Sequence, residues 1–115
     1  MDERTAQARL TERGGDDLPR LPWLAPGQPH NAVTLIRQAL WRANTDRDAL
    51  ELPDDLLAAL TLLAAARAEL DQLEAGLLFV ARAEGLTWNQ IAEPLGLRTA
   101  QAAQQRHERV LGRLG

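Results

Sequence analysis

The chain has 115 residues, of which 45% are hydrophobic and only 3% aromatic, and 13 basic against 16 acidic residues give a net charge of −3. This length fits one domain with a modest core, and the excess of Leu and Ala favours helices over strands. With no cysteine, the chain lacks disulfide frameworks, thiolate nucleophiles and the usual zinc ligands. We therefore expect an all-α protein.

Residues 1–28 are predicted to form a Pro-rich, partly disordered arm. The segment Thr5–Arg13 is typical of a weak helix that Gly14 ends, and it offers little besides Leu10 to bury. The next stretch is extended because it contains four prolines: Pro19, Pro22, Pro26 and Pro29. Its apolar residues favour an arm that packs on the body over a free linker; these are Leu21, Trp23 and Leu24.

Residues 29–84 are predicted to form a helical body. From Pro29 to Asn44 the apolar residues recur at helical spacing, with Val33, Ile36 and Leu40 on one face. A long helix is then expected from Asp54 to Ala83, since Pro53 and two carboxylates are typical of a helix start. Gly76 is its weak point, where the helix either breaks or meets a close neighbour.

Within this long helix, apolar residues follow a seven-residue repeat. The first set is Leu56, Leu63, Leu70 and Leu77, and the second, three positions later, is Ala59, Ala66, Leu73 and Val80. Such a seam either packs against other helices of the same chain or joins two copies in a homodimer. Because the helix is longer than a small domain needs, we expect part of it to pack outside its own domain.

Charge is unevenly distributed along the chain. Residues 1–75 hold 8 arginines and 13 acids, a net of −5, whereas residues 76–115 hold 5 arginines and 3 acids, a net of +2. The basic end is therefore where an anionic partner is expected.

That end, residues 85–115, has the local signals of two helices joined by a tight turn. Thr87 and Gln90 form a capping box that starts a helix reaching about Glu93. Gly96 suits the left-handed turn, and Thr99 caps a second helix that runs to Leu114.

The second helix is expected to be amphipathic. Counting 100° per residue places Ala103, His107, Val110 and Leu114 toward the core and Gln101, Gln105 and Glu108 on the opposite side. Glutamine can pair with adenine in the major groove, while arginines reach guanine or phosphates. The predicted DNA-binding residues are Arg98, Thr99, Gln101, Gln104, Gln105, Arg106, Arg109 and Arg113.

This stretch resembles the helix-turn-helix of bacterial transcription regulators. The matching residues are Leu86, Thr87, Ile91, Ala92, Glu93, Leu95, Gly96 and Leu97. It is similar to the sigma-factor region that reads the −35 promoter element, and more so to small regulators of high-GC bacteria. The resemblance implies double-stranded DNA binding through the second helix. Two residues depart from the pattern: Pro94 late in the first helix, and His107 where a larger apolar residue is usual.

The expected function is sequence-specific DNA binding by a transcriptional regulator, with a helical protein-interaction module as the alternative. We expect no enzyme and no cofactor, because no nucleophile and base pair is evident. We also expect no metal, since the aspartates at 46, 48, 54 and 55 lack the spacing of a calcium loop. Without a signal peptide or membrane span in the sequence, the expected location is the cytoplasm, at the nucleoid when DNA is bound.

Overall fold

The computed structural model describes residues 1–115 and contains only helices, turns and irregular segments, which confirms the all-α prediction. A single 3₁₀ turn spans Gly15–Asp17. The α-helices are α1 (Glu3–Glu12), α2 (Ala32–Thr45), α3 (Leu52–Thr61), α4 (Leu63–Ala83), α5 (Trp88–Ala92) and α6 (Ala100–Leu114). None of these helices combines the length and apolar character that crossing a membrane requires.

The chain divides into two compact units, Met1–Arg67 and Ala68–Gly115. The division falls inside α4. The N-terminal unit contains α1, α2 and α3. The C-terminal unit contains most of α4 together with α5 and α6.

The core of the N-terminal unit is built largely from small residues. Its fully buried members are Ala6, Leu10, Ala32, Leu35, Ala39, Ala58, Ala59 and Leu62. Alanine at so many positions lets helix backbones approach closely, so modest side-chain volume still fills the space between α1, α2 and α3.

Helix α1 belongs to this core, which corrects the prediction of an N-terminal segment with little to bury. Asp2 caps the helix by accepting a hydrogen bond from the Thr5 amide at 2.7 Å. Ala6 and Leu10, four residues apart on one face, are both buried. Trp23, expected to pack on the body, is instead 71% exposed.

An ion-pair cluster ties α1 to the first turn of α3. Asp55 is only 6% exposed, and its two carboxylate oxygens accept from Nε of Arg9 at 3.0 Å and Nε of Arg13 at 3.1 Å. Arg9 also binds the carboxylate of Glu51. The sequence placed Asp55 correctly at a helix start, but its arginine partners were not predicted.

The packed face of α2 differs from the predicted one. The buried residues are Ala32, Leu35, Ala39 and Ala43, whereas Val33, Leu40 and Trp41 are exposed. Ile36, on the margin, is partly buried. The pattern of large apolar residues was misleading because the close contact of α2 with α1 and α3 selects small side chains.

The predicted single helix from Asp54 to Ala83 is interrupted at Leu62. The Leu62 amide is shared between the carbonyls of Ala58 at 3.1 Å and Ala59 at 3.2 Å, which tightens the last turn of α3. Leu62 itself is buried. Gly76 is neither a break nor a close contact, since α4 continues through it and a Cβ there would meet no atom within 4 Å.

Candidate nucleic-acid interface

Helix α5 starts at the predicted capping box. The Thr87 hydroxyl accepts from the Gln90 amide at 3.2 Å, and the Gln90 side chain accepts from the Thr87 amide at 2.7 Å. Ile91 and Ala92 are buried on the inner face of the helix, as predicted. The helix ends at Ala92, just before Pro94, so the proline's missing N–H removes no hydrogen bond from it.

The turn between α5 and α6 has the conformation that the sequence predicted. Gly96 adopts φ +72°, which is strained for any residue with a Cβ. The Leu97 amide donates back to the Ala92 carbonyl at 2.9 Å, and its side chain packs against the unit's core. Thr99 then caps α6 by accepting from the Ala102 amide at 3.0 Å.

Helix α6 is oriented largely as predicted. Ala103 and Val110 are buried, whereas Leu114, expected in the core, is more than a third exposed at the end of the helix. His107 is half-buried and lies 5.6 Å from Trp88, ring centre to ring centre. Trp88 thus covers the contact of α5 and α6, and the guanidinium of Arg82 stacks 5.0 Å from its ring.

The core of the C-terminal unit fixes this orientation. It consists of Leu78 from α4, Ile91 and Ala92 from α5, and Ala103 from α6. Three elements therefore meet at one small cluster, and the opposite face of α6 is left to solvent.

This outer face of α6 is polar, exposed and free of intramolecular bonds. The side chains of Gln101, Gln104, Gln105, Glu108 and Arg109 are exposed and form no hydrogen bond or ion pair within the chain. Arg98, at the turn before the helix, is also exposed and unpaired. The structure thus brings five predicted site residues, with Thr99 at the cap, to one end and one side of the same helix.

The other two predicted site residues, Arg106 and Arg113, form ion pairs with carboxylates of α4. Arg106 binds Glu74 bidentately, through Nε at 3.0 Å and Nη2 at 2.7 Å. Arg113 binds Asp71 in the same manner, with both distances 3.0 Å. Both guanidinium groups are thus engaged in holding α6 to α4, and each would have to leave its carboxylate to contact a phosphate.

The sequence did carry a signal for these pairs. Arg106 and Arg113 are seven residues apart on one shoulder of α6, and Asp71 and Glu74 are three apart on α4. Pairing Arg106 with Glu74 and Arg113 with Asp71 requires α6 to run antiparallel to α4. The periodicity of the sequence does not give the relative direction of two helices, so the pairs could not be predicted from it.

No family model, curated protein or solved structure matches the chain. The structure contains no group of three or more carboxylate or histidine side chains that could hold a metal ion.

The two ion pairs predict acid sensitivity of the C-terminal unit. Hydrogen bonds from Arg106 hold the pKa of Glu74 below its ordinary value of 4.5, and those from Arg113 hold the pKa of Asp71 below 3.8. A carboxylate whose pKa is lowered by folding stabilises the fold above its ordinary pKa, and this contribution is lost as the pH falls through the lowered value. We expect the contribution of these two pairs to the unfolding free energy to be fully present above pH 4.5 and to be lost progressively below it.

Urea unfolding followed by circular dichroism across this pH range measures the effect. The Glu74→Gln variant lacks one titrating group, so its stability should depend less on pH and approach the parent's in acid. An identical acid dependence of parent and variant would show that Glu74 contributes nothing to it.

Proposed function

We propose that this protein is a transcriptional regulator that binds double-stranded DNA by laying the outer face of α6 in the major groove. The observation that carries the proposal is a complete helix-turn-helix whose second helix presents three exposed, unbonded glutamines. The major groove of B-DNA is wide enough for an α-helix, and side-chain carboxamides can pair bidentately with adenine there. The resemblance of residues 86–97 to bacterial regulators supports the same function.

Phosphate contacts in this proposal come from Arg98 and Arg109. They are the exposed arginines beside the glutamine face that have no intramolecular partner, and Thr99 adds a hydroxyl at the helix start. With about two phosphates neutralised per chain, the salt dependence is modest, with a slope of about −2 per chain in a plot of log affinity against log salt.

The proposed DNA-binding form is a homodimer. Helix-turn-helix proteins that form dimers bind two half-sites related by a two-fold axis. The apolar residues of α4 in the C-terminal unit that remain exposed support an association of two copies.

The glutamine face can be tested one side chain at a time. After the preferred duplex is selected from a random pool, Gln101→Ala or Gln105→Ala should weaken specific binding about 5- to 150-fold, the equivalent of roughly 1–3 kcal/mol. Binding to random duplex should change little, because phosphate contacts are kept. Fluorescence anisotropy with both duplexes gives the two affinities.

Gln72→Ala is the matched control, since it removes an exposed glutamine from α4. It should bind both duplexes like the parent. Parental binding of both duplexes by both α6 variants would mean that this face does not read DNA.

A protein-interaction module is the second candidate function. It is favoured by the exposed apolar residues of α4 and by the acidic net charge of the chain. The same anisotropy series distinguishes it, because a module of this kind binds neither duplex at low salt.

A further inference from the structure

Helix α4 carries an apolar stripe that no part of the chain covers. The stripe consists of Leu70, Leu73, Leu77 and Val80, whose exposed fractions lie between 57% and 72%. Their spacing of three, four and three residues is that of the a and d positions of a coiled coil. These four side chains are therefore available to a partner helix from outside the chain.

We infer that a second copy of the chain covers this stripe with its own α4 running antiparallel, and that the two-fold axis passes beside residue 75. This inference rests on the homodimer of the proposed function and specifies its geometry. The spacing of the stripe reads the same from either end. An antiparallel partner therefore sets Leu70 against Val80 and Leu73 against Leu77, twice each.

The charges at the two ends of α4 favour this direction. Arg67 precedes the stripe and Glu84 follows it; both are exposed and neither has an ion-pair partner in the chain. An antiparallel pair brings Arg67 of one copy to Glu84 of the other at both ends. A parallel pair would instead bring Glu84 of one copy next to Glu84 of the other, just past the ends of both helices, where like charges repel.

Gly76 gains a role in this arrangement. It lies near the proposed axis, and a Cβ there would meet open space within the chain. Within one copy, therefore, nothing requires a glycine at this place. Between two copies, the two glycines would lie close to each other and allow the helix backbones to approach.

Cysteine cross-linking tests both the dimer and its direction, and the natural chain contains no cysteine to interfere. The full chain is prepared as Leu70→Cys, as Val80→Cys and with both substitutions together. Ten residues along a helix separate the two positions by about 15 Å, so they cannot bond within one copy. After mild oxidation, the double variant should run as a covalent dimer on a non-reducing gel, whereas each single variant should not.

Covalent dimers of the single variants would show a parallel pair and overturn the inferred direction, leaving the proposed homodimer in place. Sedimentation of the parent at micromolar concentration as a 12.7 kDa monomer would overturn the inference and the homodimer together. Neither cross-linking nor sedimentation depends on DNA, so these experiments test the dimer independently of whether the protein binds DNA.

A second comparison tests the position of the stripe. Leu77 lies in it, whereas Phe79, 75% exposed on the same helix, lies outside it. Leu77→Glu should raise the dimer dissociation constant by roughly 100-fold or more, because in this register it buries an unpaired carboxylate against Leu73 of the other copy. Phe79→Glu should leave it within a few-fold. Equal effects of the two substitutions would contradict the register. Circular dichroism confirms that both variants remain helical, as expected for exposed positions.

Discussion

Replacing Asp55 by alanine should lower the free energy of unfolding of the N-terminal unit by about 2–4 kcal/mol. Removing one partner of a buried ion pair leaves the other charge uncompensated, which costs about 3–5 kcal/mol in fully buried cases. The cost is smaller here because Arg9 and Arg13 keep 24% and 31% of their side chains exposed. Most of the loss should come from the detachment of α1.

Asp54→Ala is the control, because Asp54 is an exposed neighbour whose carboxylate lies 4.0 Å from Arg9. It should change stability by less than about 1 kcal/mol. Urea unfolding measures both variants, and hydrogen exchange of the α1 amides locates the loss. Equal stability of the two variants would mean that the arginine cluster does not hold α1.

Replacing Arg106 by alanine should lower the unfolding free energy of the C-terminal unit by about 2–3 kcal/mol, because charge-assisted hydrogen bonds to Glu74 are lost. Glu74 keeps only 17% of its side chain exposed, so water compensates it poorly. The salt dependence of the proposed DNA binding should be unchanged. Arg109→Ala should show the opposite result, with stability within about 0.5 kcal/mol of the parent and a salt slope shallower by about one.

Thermal unfolding and anisotropy titrations at several salt concentrations separate these two roles. If Arg106→Ala keeps the parent's stability but flattens the salt slope, then Arg106 leaves Glu74 for phosphate when DNA binds. In that case the ion pair between Arg106 and Glu74 is present in the free protein and breaks when DNA binds.

The helix-turn-helix was the part of the fold that the sequence predicted well, because its signals are local. The capping box of Thr87 depends on a residue three positions away, the turn on the freedom of Gly96, and the start of α6 on the Thr99 hydroxyl. Each of these preferences acts within a few residues, so no knowledge of the rest of the chain was needed.

The packed faces of α1 and α2 and the break at Leu62 were not predicted, because they depend on which elements meet in space. Ala6 and Ala39 are buried because neighbouring helices come close to them. A helix face predicted from the positions of large apolar residues does not take alanine into account. The ion pair of Arg106 with Glu74 was not predicted for the same reason. The two residues are far apart in sequence, and only the fold brings them together.

The fluorescence of Trp88 can be used to follow the C-terminal unit alone. The other two tryptophans, Trp23 and Trp41, are exposed side chains of the N-terminal unit, and phenylalanine can replace them with little loss of packing. The remaining indole then emits from the contact of α5 with α6, between His107 and Arg82. Its emission maximum and its accessibility to a quencher thus become direct measures of whether the helix-turn-helix is assembled, read without any label and independently of the N-terminal helices.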